Sequence, residues 1–336
     1  MNMNKISKKS IVIRTDGSNE IGMGHIFRSL YLGNEFKKNG YMVHFITSNN
    51  FKSILNKIGK CHVIDNELDE ELKLIKKIEP QFFVLDLLKK FFPYNAKYFL
   101  QLQNLCQKLI AIDFVSPHLK YFDLSFHTLF GPKNYRAKKT FYDFKYSIVS
   151  NNFKKELYNY KIKKNVSSVI VLCGGSDTHC ICPKIISSLD SLDPKIKLNL
   201  IIGPKFECWK ALKKEKNNLT RSVKIFHNVK NIEKIMKKHD VAISFAGVTM
   251  TELLTIGIPS LIIYGHLHEK EAAELVDKKN LAINLGYGKT ISKNKITKSL
   301  NDLILNFNKR NLLNKNSNQI FDGEGTERLV KYIISN

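Results

Sequence analysis

The sequence predicts an α/β protein of two doubly wound, Rossmann-like domains, and three observations carry that expectation. The chain of 336 residues is 43% hydrophobic, enough to fill two cores. Short apolar runs rich in Val and Ile recur between amphipathic stretches, as "IVIR" at 11–14, "MVHFI" at 42–46, "FFVLD" at 82–86, "LIAID" at 109–113 and "FDLSF" at 122–126. The series then restarts with "VSSVIVLC" at 166–173, "KLNLII" at 197–202, "VAISF" at 241–245 and "SLIIY" at 260–264. Near-continuous apolar strands separated by helical segments indicate parallel sheets covered on both faces. "ELYNYKIKKN", 156–165, has no core periodicity and carries a charge run, so the join is expected there, between domains 1–160 and 161–336. "GTERLVKYIIS" reads as a closing helix with Thr326 as N-cap.

The net charge is +24, yet only six of the 54 basic residues are arginine, and the lysines are scattered among Asn and Ile along the chain. No aromatic and basic cluster stands ready to stack bases, so no specific nucleic-acid partner is expected; non-specific binding at low salt is. The same positive surface suits peripheral contact with an anionic membrane. No apolar run approaches the roughly 20 residues that span a bilayer, and the start "MNMNKISKKS" lacks the apolar block of a signal peptide, so a cytoplasmic location is expected. Six cysteines in so long a chain and a reducing compartment are expected to stay free. Oligomeric state is left open.

Ligands of open parallel sheets bind where strands end and helices begin. "TDGSNEIGMGHIFRSL", 15–30, follows the first strand, with glycines at 17, 22 and 24 that permit a sharp turn and close approach to the backbone. The glycine order is neither G-x-G-x-x-G nor a P-loop. It ends in His25 at a helix start, where the dipole disfavours imidazolium, and a neutral imidazole is a candidate general base. A purely structural turn would not need the polar Asp16, Ser18 and Arg28 that crowd this loop.

These residues resemble the signature of the UDP-sugar hydrolases of the pseudaminic acid pathway and the related spore-coat polysaccharide proteins, R-x-D-x-S-x-x-I-G-x-G-H-x-x-R. Arg14, Asp16, Ser18, Ile21, Gly22, Gly24, His25 and Arg28 match it. The resemblance implies a GT-B fold, two Rossmann-like domains facing a cleft, and hydrolysis of a UDP-linked 2,4-diacetamido-2,4,6-trideoxy sugar. It casts His25 as the base that readies water, and Asp16 could support the protonated ring by charge. Arg14, Ser18, Gly22, Gly24 and Arg28 become candidate substrate contacts.

In the second half, Gly174, Gly175, Ser176 and Asp177 follow a buried strand and precede a helix, a setting that suits a diphosphate. "SFAGVTMTELLTIGIPSLIIY" then gives a strand, Gly247, Thr249 near an N-cap, Glu252 in the first turn, and Gly257 with Pro259 at the end. This stretch resembles the nucleotide-binding segment of the peptidoglycan-type N-acetylglucosaminyltransferases, which implies that Gly247, Val248, Thr249 and Glu252 hold UDP, the glutamate on the ribose. His268 and Glu269 stand where relatives carry Asn-Gln and are candidate donor contacts. "FDGEGTERLV" resembles the family's closing motif.

Three positions depart from the hydrolases: Leu87 where a histidine is common, Phe114 for the second aspartate of Ile-Asp-Asp, and Asn152 near the place of an arginine. All fall in the half that reads the sugar. The aromatic residues at 82–99 read as packing, with Tyr94 a minor substrate-contact candidate. "CGGSDTHCIC" lacks the second half-site of a structural zinc cluster, and no metal or cofactor is expected. The sequence thus reads as an inverting UDP-sugar hydrolase. A glycosyltransferase with a polysaccharide or lipid acceptor, and a non-catalytic UDP-sugar binding protein, are the alternatives.

Overall fold

A computed structural model describes residues 9–18, 22–65, 67–88, 94–129, 131, 134–157 and 159–336. Ile21, Phe91 and Phe92 lie outside the described residues, as do residues 1–8. The chain divides into two units, and each carries one parallel sheet.

In the first unit β1 (Ser10–Thr15), β2 (Met42–Thr47), β3 (Lys60–Val63), β4 (Phe82–Asp86), β5 (Lys108–Ile112), β6 (Leu124–His127) and β7 (Lys139–Tyr142) pair in the order β3-β2-β1-β4-β5-β6-β7. In the second, β8 (Ser168–Leu172), β9 (Lys197–Ile202), β10 (Val223–His227), β11 (Val241–Phe245), β12 (Ser260–Tyr264) and β13 (Ile283–Tyr287) pair as β10-β9-β8-β11-β12-β13. Both are doubly wound. The order reverses beside β1 and beside β8, so the C-terminal ends of β1 and β4, and of β8 and β11, are where such sheets place ligands.

The central strands β1, β4 and β8 are buried at every residue, which is why they read as nearly continuous apolar runs, with Arg14 near the end of β1 and Asp86 at the end of β4. Their cores differ in character. Phe83, Phe99, Phe114 and Phe122 dominate one core of the first unit, whereas Val, Ile and Leu fill the largest core of the second. Leu87 and Phe114, two of the three departures, are members of that aromatic core at 0% and 2% exposure, so packing accounts for both. Tyr94 belongs there too, with its ring centroid 4.6 Å from Tyr98 and 5.3 Å from Phe99.

The division falls after Ile148 rather than near residue 160, and the closing helix counts with the first unit. Val149 and Phe153 are buried with Ile170, Leu253 and Ile256 of the second core, and the Tyr160 hydroxyl donates to the carbonyls of His239 and Asp240. Asn152, the third departure, is exposed on the helix Asn151–Leu157 of that unit. In the closing helix Gly325–Ser335, Thr326 is the second residue rather than the cap, and the Tyr332 ring lies 4.8 Å from Phe141.

Cys180 and Cys208 form a disulfide, which corrects the expectation of six free thiols; Cys61, Cys106, Cys173 and Cys182 remain reduced. The folding of two βα loops explains the pairing: each cysteine directly precedes a helix, and their Cα atoms are 5.6 Å apart, within bonding reach. With a sequence separation of 28, loop-closure entropy makes the bond worth about 3–4 kcal/mol. Urea unfolding with and without reductant should therefore differ by about that much; coincident curves would show that the bond contributes nothing. Among the described residues no helix is long and apolar enough to cross a membrane.

Candidate active site

The register of the first sheet builds the site. Thr15, the last residue of β1, pairs with Asp86, the last of β4, so the carboxylate of Asp86 arrives where the chain leaves β1 toward the helix Gly24–Lys38. His25, the second residue of that helix, has Nδ1 2.6 Å from Asp86 Oδ1. Arg28, one turn further on, donates Nε to Asp86 Oδ2 at 2.9 Å and Nη2 to Asp86 Oδ1. Its Nη1 donates to Asp113 Oδ2, and Ser29 Oγ to Asp86 Oδ2 at 3.1 Å.

Asp113 follows β5 and adopts φ 48°, a left-handed conformation that a non-glycine residue keeps only when its surroundings hold it. The amides of Thr128 and Leu129 and the Thr128 hydroxyl do so, donating to its carboxylate at 2.7, 3.1 and 3.0 Å. A chain of buried polar groups thus runs from Thr128 through Asp113 and Arg28 to Asp86, and ends on the half-buried His25.

Charge settles the proton arrangement. Burial opposes ionisation of Asp86, but Arg28 and then His25 outweigh it and hold its pKa well below the usual carboxylate range. An ionised carboxylate only accepts, so Nδ1 carries the hydrogen and Nε2 is the basic nitrogen. Arg28 Nη2 also lies 3.3 Å from Nδ1, but a guanidinium only donates, and the shorter contact decides the tautomer. The arrangement can fix an imidazole, leave Nε2 to take a proton, and stabilise the imidazolium that results.

Three of the sequence-derived roles in this unit change. Asp16 does not pair with His25: its carboxylate accepts from the amides of Gly17 and Ser48 at 3.0 and 2.8 Å and from Asn49 Nδ2 at 3.1 Å, fixing the turn after β1. Arg14 faces inward at 0% exposure, donating to Glu71, Ser48 and the carbonyls of Thr15 and Ile46, so it is a buried strut rather than a substrate contact. Arg28, at 3% exposure, bridges two carboxylates instead of meeting substrate. Ser18 is half-buried at the end of the described part of the turn. Asp86 and Asp113 were missed, although each is an acid at the end of an apolar run.

The second unit holds the other candidates. Gly22–Gly24 counts with it. A Cβ on Gly175 would lie 2.5 Å from Met23 Cβ, one on Gly24 3.3 Å from Val248 Cγ2, and one on Gly22 3.9 Å from Ser176 Oγ. The three residues immediately before His25 therefore lie against the loops after β8 and β11. Gly203 closes on the same loop, since its Cβ would stand 2.4 Å from the Gly174 carbonyl oxygen.

The two helix starts at this sheet's switch point differ. Asp177 accepts from the amides of Ile181 and Cys182 at 2.9 and 2.8 Å, so the protein's own carboxylate fills the start of Ile181–Ser188. Burial pushes the Asp177 pKa up to about 6 against the pull of those amides. The carboxylate that the sequence offers to a diphosphate is thus engaged with the start of its own helix. The helix Val248–Ile256 instead opens at Gly247 with no side-chain cap and no acid in its first turn, the arrangement that suits an added anion. Thr249 is its second residue, and Glu252 its fifth, in the second turn rather than the first, at 5% exposure. Glu269 caps the loop after β12, accepting from the amides of Gly265 and His266 at 2.8 and 3.0 Å; His268 is exposed with its ring 5.4 Å from that of His266. Glu269 departs from a simple donor-contact role, because its carboxylate is committed to those amides.

Two Rossmann-like sheets of this order define the GT-B architecture, and the comparisons agree. The crystal structure of Acinetobacter baumannii MurG superposes with TM-score 0.69 at 13% identity, covering 98% of this chain and 100% of that one. A UDP-GlcNAc 2-epimerase from Neisseria meningitidis, bound to UDP-GlcNAc, superposes with TM-score 0.64 at 12% identity over 98% and 100%. Residues 168–330 match the glycosyltransferase family 28 C-terminal domain. Among curated proteins, MJ1062 of Methanocaldococcus jannaschii, an uncharacterized protein, is 32% identical over 291 residues, 80% of this chain; the chain spans 58% of that relative's length. The spore coat polysaccharide biosynthesis protein SpsG of Bacillus subtilis is 21% identical over 95% of this chain and 96% of its own.

Proposed function

We propose that the protein hydrolyses a UDP-linked amino-deoxy sugar of the 2,4-diacetamido-2,4,6-trideoxy class, releasing UDP and the free sugar for nonulosonic (pseudaminic-type) acid or surface polysaccharide synthesis. The observation that carries this reading is the His25–Asp86 pair, held by Arg28, at the C-terminal ends of β1 and β4. Water gives its proton to His25 Nε2 as its oxygen attacks the anomeric carbon. The bond from that carbon to the diphosphate oxygen breaks, its electron pair leaves with UDP, and the sugar inverts. The amides at the start of Val248–Ile256 take the diphosphate charge as it develops, and Glu252 takes the ribose hydroxyls. The printed ligand of the epimerase and the name of SpsG support a UDP-sugar and a polysaccharide setting.

A second reading, transfer of the sugar to an acceptor hydroxyl, draws on the match of residues 168–330 to a glycosyltransferase domain. Reaction in ¹⁸O-labelled water, without acceptor, separates the two. Hydrolysis by attack at carbon puts the label in the sugar and none in UDP; intact donor in the absence of acceptor argues for transfer. Glu252→Ala should weaken UDP binding by about tenfold to a hundredfold, the worth of a charge-assisted hydrogen bond, as read by calorimetry. Unchanged affinity would remove Glu252 from the nucleotide site.

A further inference from the structure

The loop that joins β8 to the helix Ile181–Ser188 brings together three side chains that the proposed reaction does not use. Cys173 directly follows β8, Cys182 is the second residue of the helix, and Asp177 lies between them. Cys173 Sγ, a carboxylate oxygen of Asp177 and Cys182 Sγ all lie within 4.8 Å of one another. The three residues are 1%, 5% and 0% exposed.

We propose that Cys173, Asp177 and Cys182 form a binding site for a thiophilic divalent cation of the Zn²⁺ class. Two sulfurs and one carboxylate oxygen are the donor set of a soft or borderline ion and not of Mg²⁺ or Ca²⁺. Asp177 has capacity to spare, because its two amide bonds leave further lone pairs on an ionised carboxylate. The charges also balance. Two thiolates and a carboxylate around a divalent ion sum to one negative charge, which the start of a helix favours. Three protein ligands leave a fourth position of a tetrahedron for water or another donor.

The backbone supplies a separate reason for such a tie. Gly174, Asp177 and Cys180 have φ of 62°, 51° and 49°, so two non-glycine residues of this short turn sit in the left-handed region. The Cys180–Cys208 disulfide fastens one side of the turn, and Cys208 Sγ contacts the Asp177 carbonyl at 3.5 Å. A bound ion would fasten the other side, next to Gly174–Ser176.

The test is a Cd²⁺ titration of the full-length protein, followed by the ultraviolet thiolate-to-Cd²⁺ absorption, with elemental analysis for Zn²⁺ as purified. One ion per chain with the absorption of two thiolates is the expected result. Cys173→Ser and Cys182→Ser should each remove about half of that absorption, while Cys61→Ser and the double variant Cys180→Ala/Cys208→Ala keep it. Asp177→Asn, which keeps an acceptor for the helix amides, should weaken binding by about tenfold or more. No thiolate absorption in wild type at excess Cd²⁺ overturns the proposal whatever the variants do. So does absorption lost only with the Cys180/Cys208 pair. Hydrolysis of a UDP-sugar is not part of the readout, so the two proposals stand or fall separately.

Discussion

Asp86→Asn is expected to lower turnover of the UDP-sugar on the order of 10⁴-fold while leaving UDP affinity unchanged. The carboxylate fixes Nδ1–H of His25. A carboxamide can present its NH₂ instead and turn the ring to the opposite tautomer, which places the hydrogen on the nitrogen that must accept one. His25→Ala should lose about 10²–10⁴-fold, the range of a general base. Stability changes as well, since Asp86 and Asp113 share the buried Arg28. Removing one carboxylate should cost about 3 kcal/mol, less than loss of a sole partner because Asp113 remains. The pH dependence has a fixed sign. The pKa of Asp86 is lowered in the folded state, so its contribution is complete above the ordinary carboxylate value of about 3.9 and is lost as pH falls toward the folded value. The stability gap between wild type and Asp86→Asn should hold from neutrality to about pH 5 and close below about pH 4; a gap that widens on acidification would contradict the assignment.

The second large effect is structural. Glu71→Ala should destabilise the protein by about 3 kcal/mol, because it strips the buried Arg14 of a carboxylate 3.2 Å from Nε and leaves the charged guanidinium only Asp16, 3.6 Å from Nη1. Tyr98 loses its acceptor at 2.7 Å at the same time. Burial pushes the pKa of Glu71 upward in spite of Arg14, so Glu71→Gln, which keeps the hydrogen bonds, should cost markedly less than the alanine. Replacing both partners with methionine should recover much of the loss, since a buried ion pair is worth little over packed apolar groups. Chemical denaturation of the four proteins reads this directly. Equal stability of Glu71→Ala and wild type would mean that Arg14 finds other partners at no cost.

How far the sequence spoke depended on burial. Its apolar runs located β1, β2, β4, β5, β6, β8, β9, β11 and β12. It was silent on β3, β7, β10 and β13, the four sheet edges, whose residues are mostly half-buried or exposed and include Lys60, Lys139 and Lys224. Edge strands need cover on fewer sides and so lack a continuous apolar signature. The place of His25 at a helix start was legible because the glycines before it are local features. Its partner was not, because a short turn says nothing about which way Asp16 points. The parallel register of β1 and β4, a contact between residues 71 positions apart, brings Asp86 into place. The signal for both missed acids was present in "FFVLD" and "LIAID", where a charge ends an apolar strand at the edge that binds ligands. The disulfide was illegible for a similar reason, since spacing alone does not say that two loop ends meet.

The most direct measurement is the tautomer of His25, from long-range ¹H–¹⁵N correlation spectra of histidine-labelled protein, assigned with His25→Gln and recorded where the ring is neutral. The expected result is hydrogen on Nδ1 and a bare Nε2 in wild type, reversed in Asp86→Asn. Hydrogen on Nε2 in wild type would contradict the account, because the nitrogen left to take a proton from water would already hold one.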